Sequence, residues 1–242
     1  MFRRDPKRRS AAGRSGKPSE RGTTRSRTTP EAAPGSAPDS DPLRFVLYVE
    51  GPRDREILAG WARHAAPLIG RELAYETVIL GGRQPARAVV DFRRRGGAPA
   101  GFAGLVVLDR DDHRHPVANE ARLLEPGLEL FVWSLRHIES YLLVPAAIRR
   151  VAPHAPDERR LADWIASEVG TMSLADPSRA PRGGPHAKRL LGAGGALCES
   201  LGVELRPGEI AKAMRRDELH ADVHDLFERI ATLRGIDGRS GD

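Results

Sequence analysis

Two short segments constrain this chain more than anything else in it: Phe45–Asp54, FVLYVEGPRD, and Leu105–Asp112, LVVLDRDD. In each, an apolar run rich in β-branched residues breaks off directly into acid. Such a run, bounded by turn residues, reads as a strand buried on both faces, the kind found in parallel sheets. The acids then mark where the strand leaves the sheet. The first segment supplies Glu50 and, four residues on, Asp54; the second supplies Asp109 and Asp111. Strand side chains alternate faces, so a strand carried through to Asp111 points Asp109 and Asp111 the same way. Pro52 suits the first turn of a helix, which sets Asp54 in that turn over the same edge. If the two strands are neighbours, four carboxylates meet at the carboxyl end of a sheet, where open α/β folds bind ligands.

Such a cluster needs compensation. Four charges about 6 Å apart make roughly six pairs, each near 3 kcal/mol at an effective dielectric of about 20. The sum, roughly 15–20 kcal/mol, rivals the whole stability of a typical domain. Cations or protons must offset it. A donor set of oxygen alone, without Cys or His, selects a hard ion, Mg²⁺ or Mn²⁺. Each acid also has a plainer role. Asp54 could complement a helix dipole, worth about 0.3–1 kcal/mol, and Asp109, Asp111 and Asp112 could be turn acids. His113 and His115 are either incidental loop residues or contacts to a phosphate. Gly51 allows a phosphate or metal close to the backbone, whereas Gly81-Gly82 reads as a plain turn.

Around these anchors the pattern alternates. Arg44–Glu50, Tyr75–Leu80, Leu105–Leu108 and Leu128–Trp133 read as strands. Ile57, Leu58, Trp61, Ala62 and Ala65 recur at helical spacing after Pro52, and Gln84–Arg95 follows as a helix with Ala88, Val89 and Phe92 on one side. Strands separated by helices predict an α/β fold, a parallel sheet with helices on its faces. From Leu135 the pattern turns helical: turns over Arg136–Leu143 and Pro145–Val151, then Asp157–Val169, His186–Leu201, Pro207–Arg216 and Ala221–Leu233. A loop is expected over Pro181–Pro185 and a frayed end over Gly235–Asp242. The expected organisation is a tail over 1–43, an α/β core over 44–145 and a helical C-terminal region over 146–242 packed on it. That last region is open as a substrate clamp, the surface of a homodimer or plain cover for the sheet.

Charge is unevenly placed. The chain carries 39 Lys or Arg against 33 acids, but Met1–Leu43 holds ten against five and leaves the remainder nearly balanced. That tail is rich in Ser, Gly, Pro, Thr and Arg, too poor in large apolar residues to bury a core, and so expected to be disordered. It reads either as a solvated linker or as an electrostatic tether to nucleic-acid phosphates. Only Lys188 and Lys212 fall in the body, where arginine otherwise supplies the positive charge. One cysteine, Cys198, excludes an intrachain disulfide and a four-cysteine zinc site. The start, MFRRDPKRRS, lacks the apolar stretch of a signal peptide, and no run approaches the ~18 apolar residues of a membrane span. A soluble, cytoplasmic protein without membrane contact is expected.

The E-G-x-x-D of Glu50, Gly51 and Asp54, followed by the D-x-D of Asp109 and Asp111, resembles the TOPRIM domain of topoisomerases, bacterial primases, small recombination and RNA-maturation proteins and OLD-family nucleases. LRHIESYLL, Leu135–Leu143, is similar to a segment that follows the D-x-D in OLD-like and standalone TOPRIM proteins, and PHAKRLL, Pro185–Leu191, to the region where that group places a functional lysine. The resemblance implies a Rossmann-like TOPRIM sheet and a metal-dependent nuclease in defence or repair. Glu50, Asp54, Asp109 and Asp111 would hold Mg²⁺ or Mn²⁺, with Asp109 as bridge. Glu139 would complete the site, unless it is a solvent-facing acid. Lys188 would stabilise charge on a phosphoryl group, unless it is an ordinary surface lysine. The implied partner is DNA or RNA. With no G-x-x-x-x-G-K-[ST] in the sequence, nucleotide control would need a separate ATPase or regulatory partner. The alternative is a non-catalytic TOPRIM scaffold that binds nucleic acid in recombination or repair.

Overall fold

The computed structural model describes residues 44–111, 122–169, 187–191 and 194–236. The expected tail, Asp112, His113, His115, the 181–185 loop and the last residues of the frayed end lie outside them. Among the described residues, five strands form one sheet in the order β2-β1-β3-β5-β4. They are β1 (Arg44–Val49), β2 (Thr77–Ile79), β3 (Phe102–Leu108), β4 (Arg122–Glu125) and β5 (Leu128–Val132). All pairings are parallel except β4 with β5. The α/β expectation is met: a mostly parallel sheet with helices packed on it.

Strand alternation builds two apolar layers. Phe45, Leu47, Val49, Leu105 and Val107 pack with Ile57, Leu58 and Trp61 of α1 (Pro52–Ala65) on one face. Val46, Tyr48, Val106 and Leu108 pack with Ala88 and Phe92 of α3 (Pro85–Arg94) on the other. Both faces are covered, which is why these strands read as unbroken apolar runs. Between α1 and β2 lies α2 (Pro67–Glu76). From β1 the chain crosses to β2 on one side and then returns to β3 on the other. The order therefore reverses beside β1, and a crevice opens at the carboxyl ends of β1 and β3. Val49 is in register with Val107, so the residues just past those tips emerge side by side.

The C-terminal helices are α4 (Pro145–Val151), α5 (Glu158–Val169), α6 (Ala187–Leu191), α7 (Ala196–Leu201), α8 (Pro207–Ala213) and α9 (Ala221–Leu233). Their apolar sides join the α1 layer in one core. At Gly60 the backbones of α1 and α8 come close: a β-carbon there would stand 2.7 Å from Ala211 Cβ and 3.0 Å from Lys212 N. Trp61 Nε1 donates to Met214 Sδ at 3.2 Å across the same contact. Among the described residues no helix is long and apolar enough to cross a membrane.

Three local expectations are corrected and one strand is added. The strand read over Tyr75–Leu80 begins only at Thr77, because Pro67 starts a helix that runs through Glu76. A short antiparallel strand, β4, precedes β5 across the Pro126-Gly127 turn, with Gly127 at φ 78°; that dipeptide is the signal that could have found it. The helix read over His186–Leu201 is divided, with Gly195 standing at the start of α7. The helix read over Pro207–Arg216 stops at Ala213, and Arg216–Glu218 forms a separate 3₁₀ turn.

Candidate metal and phosphate site

Glu50 leaves β1 and one of its oxygens, Oε1, accepts the backbone N–H of Asp109 at 2.8 Å. The two strand tips are thereby joined. Asp54 stands in the first turn of α1, where its Oδ2 accepts the Gly51 N–H at 2.7 Å; that bond closes the helix start as an N-terminal carboxylate does. Asp109, 4% exposed, accepts the Ile138 N–H on Oδ1 at 2.8 Å and the Lys188 ammonium on Oδ2 at 2.5 Å. Ile138 opens the 3₁₀ turn Ile138–Leu142, and the next residue is Glu139.

Glu139 is 1% exposed, so the solvent-facing reading of it is overturned. Its Oε1 lies 3.3 Å from an Arg53 guanidinium nitrogen, while Oε2 is buried with no hydrogen-bond partner. Lys188, on α6, is brought by the tertiary fold to the Asp109 carboxylate rather than to open solvent.

Asp111 is placed differently from the strand argument. β3 ends at Leu108, and Asp111 sits at φ 51°, its N–H donated to Arg136 O at 2.9 Å. Strand alternation therefore does not reach it, and the common direction expected for Asp109 and Asp111 has no strand to enforce it. Its carboxylate lies 3.9 Å from Arg83 and 3.6 Å from His137 Nε2. Aspartate tolerates this left-handed backbone better than most residues.

The electrostatics are those of a site short of positive charge. Burial pushes Glu50 above the usual carboxylate range, partly offset by the Asp109 N–H. Burial, then the Asp109 charge, pushes Asp54 up to about 7. Burial also raises Asp109 and Glu139, although Lys188 opposes both shifts. For Lys188 itself, burial works against the ammonium, but the carboxylates of Asp109, Glu139 and Asp54 outweigh it and raise its pKa. Four acids thus remain hard to ionise even with a lysine among them.

The donors are oxygen only, buried, under-compensated and include one unpartnered carboxylate oxygen. That chemistry fits a hard divalent cation. Among the described residues, however, no three Asp, Glu, His or Cys side chains form a ready ligand set; Lys188 holds the Asp109 oxygen instead. Three residues beside the acids were not singled out from the sequence: Arg53, Arg83 and His137. His137 lay within the LRHIESYLL segment, and Arg83 directly follows Gly81-Gly82, a turn signal at the end of a strand.

No family model matches the chain, and no curated protein matches it. Among solved structures, it is similar to the C-terminal region of the Xanthomonas campestris pv. campestris OLD protein, at 17% identity, covering 80% of this chain and 95% of that one with a TM-score of 0.40. It is also similar to the C-terminal region of the Burkholderia pseudomallei OLD protein, at 19% identity, covering 78% and 98% with a TM-score of 0.41.

Proposed function

We propose that this chain is a metal-dependent nuclease that hydrolyses nucleic-acid phosphodiesters at the crevice between the tips of β1 and β3. The observation that carries the reading is the meeting of Glu50, Asp54, Asp109 and Glu139 there, with more buried carboxylate than cation. On this reading Glu50, Asp54, Asp109 and Asp111, with Glu139, would hold Mg²⁺ or Mn²⁺. The ion's chemistry there would be Lewis-acid activation of water and charge stabilisation at a phosphodiester.

The chain's own groups do the positioning. The Asp109 N–H fixes one oxygen of Glu50, and the Ile138 N–H fixes one oxygen of Asp109, whose other oxygen accepts the Lys188 ammonium, so each carboxylate is held in place by backbone. Asp54 is tied to Gly51 in the same way. Rigid first contacts of this kind reduce reorganisation during the reaction. Lys188 is a cation beside the reacting centre, suited to stabilise charge developing on a phosphoryl oxygen.

A second reading, a non-catalytic nucleic-acid scaffold, is favoured by two observations: Lys188 already satisfies Asp109, and no ready ligand set stands among the described residues. The two are separated by incubating the full chain with single- and double-stranded DNA and RNA in Mg²⁺, Mn²⁺ or EDTA, beside Glu50→Ala and Asp109→Ala. Metal-dependent cutting that both variants lose supports the nuclease. Cutting that survives in the variants comes from a contaminant, and binding without cutting supports the scaffold.

A further inference from the structure

Arg53 has a placement that the proposed reaction does not by itself explain. Pro52 opens α1, and Arg53 and Asp54 are the next two residues of the helix. Neighbours on a helix point about 100° apart, and here the two side chains part company. Asp54 turns back to the Gly51 N–H, while Arg53 reaches Glu139, 86 positions on. One helix start therefore supplies an acid to the site and a cation to another of its acids.

The Arg53–Glu139 pair differs from an ordinary surface ion pair, in which both partners are wet and the net gain is small. The Arg53 side chain is 45% exposed, whereas that of Glu139 is 1% exposed. Glu139 follows Ile138, whose N–H holds Asp109, and its charge bears on Asp54 and Asp109 alike. Glu50, Asp54 and Asp109 each have one oxygen held by a main-chain N–H. Glu139 Oε1 accepts from a side chain, the Arg53 guanidinium, at 3.3 Å. Oε2 is left buried with no hydrogen-bond partner among the described residues, which costs free energy unless a ligand takes it.

We propose that Arg53 is a positioning residue, which clasps Glu139 by Oε1 and so presents Oε2 as a ligand to a divalent cation. A positive charge so near the ion would, by repulsion alone, weaken its binding. Fixing a ligating carboxylate through its other oxygen acts the opposite way, and loss of such support costs about 10–100-fold in metal affinity. The two effects differ in sign, so a measurement separates them. The proposal rests on the metal-dependent reading of this site, and its test reads ion uptake rather than cutting.

Mn²⁺ binding by the full chain is followed through the paramagnetic resonance signal of free Mn²⁺. Wild type is set beside Arg53→Met, Arg53→Gln, Arg53→Lys, Glu139→Gln and the double variant Arg53→Met/Glu139→Gln. Arg53→Met and Glu139→Gln should each bind about 10–100-fold more weakly. Arg53→Gln, which keeps an N–H donor without the charge, should recover most of the loss. In the double variant, Arg53→Met should add nothing to Glu139→Gln, as expected of residues that act through one contact. Arg53→Lys keeps the compensating charge should Arg53→Met not fold; without the planar guanidinium it should still bind more weakly than wild type.

Melting in EDTA reads the fold separately: a merely structural pair lowers the melting temperature and leaves Mn²⁺ affinity alone. Wild-type or tighter binding in Arg53→Met, or in Arg53→Lys where Arg53→Met does not fold, overturns the role of Arg53 while the metal site stands. Undiminished binding in Glu139→Gln overturns it too, because no ligand is then left to position. A wild type that takes up no Mn²⁺ sinks the metal-dependent reading itself, and the role of Arg53 with it.

Discussion

Lys188 Nζ stands 2.5 Å from Asp109 Oδ2, although the two residues are 79 positions apart. The contact joins a short helix of the C-terminal region to the tip of a central strand. Asp109 is nearly inaccessible, while the lysine side chain keeps 40% of its exposure. The pair is therefore buried at the acid and partly exposed along the lysine side chain.

Removing the ammonium should cost stability as well as function. Deleting one partner of a buried pair costs about 3–5 kcal/mol, and exposure of the lysine end screens that to roughly 1–2 kcal/mol. Lys188→Met should unfold at lower urea in EDTA by about that amount, and Mn²⁺ should narrow the gap by supplying the missing charge. On the nuclease reading, cutting should fall on the order of 10²–10³-fold. Unchanged urea midpoints in EDTA would show that the pair contributes nothing to the fold.

Asp54 makes stability fall with pH. Burial, then the Asp109 charge, pushes its carboxyl up to about 7 in the fold from an ordinary 3.8. The folded protein therefore holds a proton that the unfolded chain has already released between those values. Stability contributed by this group is fully present below the unfolded value and is lost as pH rises to about 7. Asp54→Asn can still accept the Gly51 N–H, yet it carries no charge to bury. It should melt near wild type at pH 4 and increasingly above it up to pH 7–8. A difference between the two proteins that is flat across pH 4–8 counts against a raised Asp54.

The site loop hangs on a further buried acid. Asp222, 3% exposed, accepts the Ser134 N–H at 3.1 Å and the hydroxyls of Ser134 and Tyr141, all on Oδ2. The Tyr141 hydroxyl in turn accepts the Leu135 N–H at 2.8 Å. Asp222→Ala strands several buried donors and should cost about 3 kcal/mol or more. Tyr141→Phe removes one hydroxyl and should cost about 1–2 kcal/mol. Because Ser134–Tyr141 carries Ile138 and Glu139, Asp222→Ala should also weaken Mn²⁺ uptake measured by calorimetry. Full uptake in a destabilised variant would separate the loop from the site.

Gly60 tests how the helical region is seated. An alanine there gains helix propensity worth about 1 kcal/mol, yet its β-carbon meets Ala211 Cβ at 2.7 Å and helix backbone beyond it. Overpacking of this kind costs about 1–3 kcal/mol, so Gly60→Ala should be neutral to destabilised by up to about 2 kcal/mol, despite the better helix former. Replacing Ala211 with Gly in the same protein should recover part of the loss. A plainly stabilised single variant would mean that α1 and α8 are free to move apart.

Much of the central architecture was legible because it is local. The runs at Phe45–Val49 and Leu105–Leu108 can bury both faces only as interior strands, and the acids that end them mark the sheet edge whatever the neighbours are. Pro52 likewise announces α1. Where the reading failed, competing local signals had no tertiary arbiter. Thr77–Ile79 is too short to set its own start against a helix arriving through Glu76. Asp111 follows its strand in sequence but not in conformation, because the backbone turns left-handed there.

By itself, then, the order of residues determined which segments must be buried and where their carboxylates break out, since hydrophobic periodicity and strand ends are properties of a few consecutive side chains. Only the folded chain decided that β1 and β3 are neighbours, that Glu139 is sealed from water, and that Arg83 and Lys188, one before and one after Asp109 in the sequence, both reach it. Those are contacts between segments that share no local pattern. They exist because packing both faces of one sheet leaves a single edge where the tips can meet.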